Sequence, residues 1–348
     1  MSSVDPIDVE YLQGLHVTDS ILWLDAPRQA DLCFLSHARA EPIGPQAKIL
    51  ITEQTRELLP HPVTPAKVLV CSYRRRFSLG QLDLELFPSG FMPGGAQLRV
   101  TRGKESLVYT SDFLLQPART TEPAEILTCD VLVIKASYGL PHQVFPPRDA
   151  VAESMIQWTE QAFTQGKKPV FLASPLGLAG EVAWILGHRG WVVRAHRSLF
   201  QNCAKYASFG VPIPNVRCFR GGWNPGEVLL FPWHLRQTAA LTRLTDRCLG
   251  GVSGQAVEPG AHLNLNVDAA FPLSMHADHR SLVQYIKKSK ARKVRLIGRT
   301  AAALAAELRR SGINAWPMQI PEQLDLFKPL SAPEKRRPRK IPSPIKSL

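Results

Sequence analysis

The sequence predicts an α/β fold, and three features point to it. From about residue 20 to 140 the chain carries short apolar runs broken by turn residues. After residue 149, helix-length and strand-length segments alternate. A second alternating stretch, from about 279 to 316, closes the regular part of the chain.

The first runs are Ile21–Leu24, Leu32–Leu35, Lys48–Ile51, Lys67–Val70 and Asp130–Ile134, each of strand length and rich in branched residues. Leu82–Phe87 alternates apolar and acidic positions, which suits a strand with one wet face. Helices are expected over 149–166 and 178–188, with strands at Pro169–Ala173 and Trp191–Val193. Strands joined through crossover helices pair in parallel. The closing stretch reads as helix 279–288, strand Lys293–Ile297, helix 300–311 and strand Ile313–Trp316, and no internal repeat is present. Ser331–Leu348 contains four prolines and a run of basic residues without apolar periodicity, so a disordered basic tail is expected there.

With 348 residues, 45% of them hydrophobic, the chain can bury a large core. Its net charge of +13 points to a polyanionic partner, DNA first, with a basic surface kept for solubility as the alternative. The six cysteines (33, 71, 129, 203, 218 and 248) form no Cys-x-x-Cys pair, so neither a zinc finger nor a thioredoxin-like motif is indicated. They read as reduced thiols of a cytoplasmic, nucleoid-associated protein. No apolar run reaches membrane-spanning length, and Met1–Asp5 lacks a signal-peptide pattern. P-loop, dinucleotide-binding and serine-hydrolase signatures are absent; Gly251–Gly254 falls short of the last.

Five segments in order carry a resemblance: Leu35–Glu41, Phe87–Gln97, Val108–Phe113, Cys129–Pro141 and Pro272–Asp278, followed by the strand Val294–Gly298. Together they resemble the β-CASP nucleases of metallo-β-lactamase fold, in particular ligase-associated DNA exonucleases and RNA 3′-end-processing factors. The resemblance runs from about residue 12 to 320. It implies a metallo-β-lactamase αββα sandwich over 12–150 and 269–320, a β-CASP-like α/β insert over 151–268, and a flexible tail over 321–348.

The family's His-x-His-x-Asp-His loop supplies ligands to two metal ions. Here that loop reads His37-Ala-Arg39-Ala-Glu41-Pro42, so one histidine remains, while arginine and proline replace the other two. The resemblance places Phe91 and Gly298 at two further histidine positions and Lys135 at an acidic one, and it retains Asp112 and His276. A guanidinium cannot lose its proton to become a ligand, and a pocket gaining cations opposes two more. The expectation is therefore a pocket without metal, in which Arg39 pairs with Glu41 or Asp112. The alternative is a rearranged zinc or manganese site drawing on His37, Glu41, Asp112, His276, Asp278 and His279.

Gln323-Leu324-Asp325-Leu326-Phe327 resembles the peptide that docks on the bacterial β sliding clamp. Leu326 and Phe327 would fill an apolar pocket, Leu324 would pack beside it, and Gln323 would fix the register. The alternative is that these residues pack back as a final strand. Arg74, Arg75 and Arg76, then Lys287, Lys288, Lys290 and Arg292, then Lys335, Arg336 and Arg337 form the basic clusters expected to touch phosphates. For the lysines that end a helix, a solvated turn is an equal reading. Two functions follow. One is a non-catalytic DNA-repair accessory protein that binds DNA and the clamp and recruits a ligase, polymerase or nuclease. The other is a metal-dependent exonuclease or RNA-processing nuclease.

Overall fold

The computed structural model describes residues 6–12, 14–39, 46–61 and 67–318. The clamp-like peptide, Glu41, Pro42 and the basic residues 335–337 lie outside these. The first sheet takes six strands in chain order: β1 (Val9–Tyr11), β2 (Leu15–Val17), β3 (Leu22–Leu24), β4 (Leu32–Phe34), β5 (Lys48–Ile51) and β6 (Val68–Val70). From β3 to β6 the pairing is parallel. Helix α1 (Glu53–Leu58) lies between β5 and β6, and its N-cap Thr52 accepts a hydrogen bond from the Thr55 N–H.

The second sheet begins as an antiparallel meander of β7 (Phe77–Leu79), β8 (Leu82–Pro88), β9 (Ala96–Arg102) and β10 (Glu105–Tyr109), and β11 (Val131–Lys135) joins parallel to β10. Along β8, Leu82, Leu84 and Leu86 are buried while Asp83 and Glu85 are half-buried, as the alternation required. These leucines meet Leu22, Leu24, Phe34 and Leu50 of the first sheet in one core, so the two sheets face each other.

The chain then leaves the sandwich through α2 (Arg148–Thr164) and builds a third sheet. Its elements are β12 (Lys168–Ala173), α3 (Leu178–His188), β13 (Val192–Ala195), α4 (Arg197–Ser208), β14 (Val216–Cys218), β15 (Glu227–Pro232), α5 (Ala239–Thr242), β16 (Arg247–Val252), α6 (Ala261–Leu265) and β17 (Ala269–Phe271). The order is β14-β13-β15-β12-β16-β17 and every pair is parallel. Central β15 is buried along its whole length, which explains its unbroken apolar run. The sheet includes Ala269–Phe271, three residues that the sequence reading assigned to the return segment.

The return is α7 (His279–Ser289), β18 (Lys293–Ile297), α8 (Ala301–Arg310) and β19 (Ala315–Pro317), with β18 pairing parallel to β11 and β19 to β18. Leu282, Tyr285, Ile286, Leu304 and Leu308 pack these helices on the outer face of the second sheet. On the other side of the sandwich, Ile49, Ile51, Leu58, Phe91 and Met92 share a core with Met155, Val182, Leu186 and Leu199. The third sheet is thus joined to the sandwich by a continuous apolar layer.

A buried charge network reinforces that junction. Glu181 is fully buried on α3. It accepts hydrogen bonds from the Arg119 N–H (2.9 Å), Arg119 Nη1 (3.2 Å), Thr120 Oγ1 (3.3 Å) and Arg148 Nη2 (2.7 Å). The six cysteines carry free thiols, and burial pushes those of Cys33, Cys129 and Cys203 up to about 12. Among the described residues no helix is long and apolar enough to cross a membrane.

Candidate functional site

Parallel pairing decides where the site lies. The register sets Tyr109 beside Val133 and Lys135 beside Ile297, so the chain just past β10, the end of β11 and the start of the loop after β18 come together. Asp112 follows β10, Lys135 ends β11 and Gly298 follows β18. Across the sandwich, β3 and β4 end side by side, Leu24 against Phe34, and deliver Asp25 and His37. The carboxyl ends of parallel strands are where open α/β sheets place ligands. A cleft of about 950 Å³ lies there, lined by His37, Arg39, Phe91, Asp112, Lys135 and His276 together with Asp25, Tyr109 and Gly298.

Asp112 is the centre of this cluster and only 5% exposed. Its Oδ2 accepts from Lys135 Nζ at 2.6 Å, and its Oδ1 from His276 Nδ1 at 2.9 Å and Ser137 Oγ at 3.2 Å. His37 Nε2 stands 3.5 Å from Oδ2 without hydrogen-bond geometry. The Arg39 N–H donates to His37 Nδ1 at 3.2 Å, which assigns the His37 proton to Nε2. Burial alone would raise the Asp112 pKa. The facing His276, His37 and Lys135 outweigh it and hold the carboxyl well below the usual carboxylate range.

The Phe91 ring is buried against both imidazoles, with centroids 4.6 Å from His37 and 4.9 Å from His276. Arg39 is exposed at the rim, its guanidinium carbon 5.4 Å from the Phe91 centroid. Of the two partners expected for Arg39, Glu41 lies outside the described residues and the pairing with Asp112 is corrected. Lys135 is the cation on that carboxylate, because the β10–β11 register brings it there while Arg39 leaves the loop toward solvent. Gly298 has φ +99°, and a Cβ there would come within 2.9 Å of the Ala136 carbonyl oxygen, so this backbone favours glycine over histidine.

A two-metal centre requires carboxylates and unprotonated imidazole nitrogens converging on shared points. The described residues do not fit one. A lysine ammonium holds the central carboxylate, and a phenyl ring touches both histidines. Among the described residues no three His, Cys, Asp or Glu side chains are grouped so as to hold a metal ion. Asp278 and His279 face elsewhere: Asp278 caps α7 by accepting from Ser281 N–H, and His279 Nε2 meets Glu307 at 3.0 Å.

The sequence reading passed over a second polar set in the same cleft. Asp25 Oδ2 accepts from Ser36 Oγ (2.6 Å), Tyr109 OH (2.7 Å) and Ser111 Oγ (3.1 Å), and its Oδ1 accepts from the Ser36 N–H (2.7 Å). Asp25 and Ser111 both have left-handed backbones, φ 46° and 53°. A lone acid at a strand end, in Leu24-Asp25-Ala26-Pro27, was the available signal.

The basic clusters are partly neutralised from within. Arg74 pairs with Glu122 (3.0 Å) and Glu125 (2.5 Å), Arg76 pairs with Asp83, and Arg292 pairs with Glu105 (2.8 Å) and Asp130 (3.0 Å). Arg75, Lys287, Lys288 and Lys290 are exposed. Lys287 and Lys288 sit in the last turn of α7, where they complement the helix dipole.

By fold and site, then, the chain is an α/β protein of mixed and parallel sheets, with a polar cleft at the carboxyl ends of its sandwich strands. No family model matches it. A probable DNA ligase of Opitutus terrae is 28% identical over 346 residues, covering 97% of this chain. The chain spans only 34% of that protein, about a third of its length. An RNase J-like protein of Methanocaldococcus jannaschii is 25% identical over 62% of this chain and 63% of its own length. The transcription termination factor FttA of Pyrococcus abyssi is 29% identical over 109 residues, 30% of this chain and 17% of that protein. A crystal structure of a protein of unknown function from Enterococcus faecalis shares the fold, with a TM-score of 0.53 at 14% identity over 76% of this chain and 74% of that one.

Proposed function

We propose that this chain is a metal-free relative of the metallo-β-lactamase and β-CASP nucleases that binds DNA without cleaving it. The observation that carries the reading is the Lys135 ammonium on Asp112 at 2.6 Å, where a bridging carboxylate would need its lone pairs for metal. The names of the ligase, RNase J-like and termination-factor relatives support nucleic-acid work, and the net charge of +13 supports a polyanionic partner. In this reading residues 12–150 and 272–320 make the sandwich, 151–271 the insert, and 321–348 a tail whose Gln323–Phe327 peptide docks on the sliding clamp. Clamp binding would recruit the protein to replication and repair intermediates, where a ligase, polymerase or nuclease acts.

A second reading, a nuclease with a rearranged site, draws on the proximity of His37, Asp112 and His276. Metal content measured by plasma spectrometry and strand degradation with Mn²⁺ or Zn²⁺ separate the two. We expect substoichiometric metal, no degradation, and DNA binding that survives Asp112→Ala. Stoichiometric metal with degradation that Asp112→Ala abolishes would establish the nuclease. Fluorescence polarisation of the Gln319–Leu330 peptide against the clamp tests the tail, and failure to compete with a known clamp ligand refutes it.

A further inference from the structure

The sheet edge that leads into the cleft carries an exposed tryptophan. β19 is the outermost strand of the second sheet, and its Trp316 is 51% exposed, whereas the other six tryptophans are half-buried. A large aromatic ring left in water marks a surface that meets a partner more often than a hydroxyl or a charge does.

The ring is also held in place. Its Nε1 donates to Asn314 Oδ1 at 2.9 Å, and the Arg309 guanidinium carbon stands 4.5 Å from its centroid. Arg309 is fixed in turn, with Nη1 donating to the Ala315 carbonyl at 2.8 Å. The orientation of the indole is therefore set before any partner arrives, and binding costs little side-chain freedom.

Charge and place give the occupant. Arg309 and Arg310 end α8, and Arg292, Lys293 and Arg295 lie just before and along β18, the strand beside β19. Against these five cations stand three carboxylates in ion-pair contact: Asp8 with Lys293 (3.0 Å) and Arg295 (2.9 Å), and Glu105 and Asp130 with Arg292. Among the described residues Arg309 and Arg310 have no carboxylate partner, so this edge keeps a positive excess. Cross-strand partners share a face of a sheet, and side chains alternate along each strand. Arg295 pairs with Trp316, and the Met318 N–H donates to the Leu296 carbonyl, so Ile297 and Met318 follow on the same face about 7 Å further along. Both line the cleft. The indole thus stands one step outside the cleft mouth.

A fixed aromatic ring flanked by uncompensated arginines suits a ligand that is itself flat and anionic at intervals. Single-stranded nucleic acid has that form, because each nucleotide offers a π-face and a phosphate. An apolar peptide would leave the arginines without counter-charge, and a duplex keeps its base faces stacked inside. We propose that Trp316 is a stacking platform for one base of a DNA single strand at the entrance to the cleft, with the charge excess of this edge serving the flanking phosphates. The assignment deepens the DNA-binding reading above and rests on it.

The test uses the full chain as wild type, Trp316→Leu and Trp316→Phe. Leucine keeps apolar bulk without a π-face, phenylalanine keeps a π-face, and an exposed edge position tolerates either. A labelled oligothymidine strand and an abasic strand of equal length are titrated by fluorescence polarisation across a salt series. Trp316→Leu is expected to weaken oligothymidine binding about 5- to 50-fold, and Trp316→Phe to recover most of that loss. The slope of log K against log salt should stay unchanged, because no phosphate contact is removed. The abasic strand should bind all three proteins alike. Unchanged oligothymidine binding in Trp316→Leu overturns the platform and leaves the DNA-binding reading standing. An equal loss on the abasic strand also overturns it, since base stacking cannot be the contact removed. A wild type that binds neither strand overturns the DNA-binding reading itself, and the platform with it.

Discussion

Replacing Glu181 by glutamine should cost this protein about 3 kcal/mol of stability. The carboxylate is fully buried and receives four hydrogen bonds, two from guanidiniums that belong to other elements. Glutamine keeps the shape but leaves Arg148, 8% exposed, without a counter-charge. Removing one member of a buried ion pair costs about 3–5 kcal/mol, because the remaining charge stays desolvated. The lower end applies here, since Arg119 keeps Asp149 as a partner. Against a total of roughly 5–15 kcal/mol, such a loss moves the folding equilibrium more than a hundredfold. Urea unfolding followed by tryptophan fluorescence measures it. The double variant Glu181→Gln with Arg148→Met should be less destabilised than the two single losses added together, because it removes the orphaned charge. A Glu181→Gln loss below about 1 kcal/mol, or strict additivity in that cycle, would refute the reasoning.

Two further outcomes follow from the same geometry. Asp112 is held well below its ordinary pKa, so it contributes stability that is full above the unfolded-state pKa near 3.9 and is lost as pH falls through the lower folded value; Asp112→Asn should therefore flatten the acid limb of stability below about pH 4, measured by melting temperature against pH. Gly90 has φ +71°, and a Cβ there would lie 2.2 Å from the Leu114 carbonyl oxygen, so Gly90→Ala should destabilise by more than about 1 kcal/mol in the same urea assay, and an unchanged midpoint would count against the fold around Phe91.

How much of this was legible beforehand varies by element. The strand at Leu82–Phe87 and the helices at 149–166, 178–188 and 279–288 could be read because side-chain periodicity is a local property, and the structure places elements there within a residue or two. Between residues 196 and 268 the sequence reading named no element. There β14 is three residues long, and α5 and α6 only four and five, which is too short for a period to show, whereas α4, twelve residues long, was missed despite its length. The apolar run of β15 could have been found and was missed.

What the sequence by itself determined was the inventory: which side chains exist at each position, that the segment from His37 to Pro42 holds one histidine beside an arginine and a proline, and that the chain is strongly basic. Those are matters of residue chemistry and need no coordinates. Which charges meet was decided by tertiary structure alone. The parallel register of β10 with β11 gave Asp112 to Lys135 rather than to Arg39, because strand pairing joins residues more than twenty positions apart while a loop arginine with an exposed path takes solvent. The packing of α2 and α3 against the sandwich likewise buried Glu181 among Arg119 and Arg148, and opened beside them a cavity that no local pattern announces.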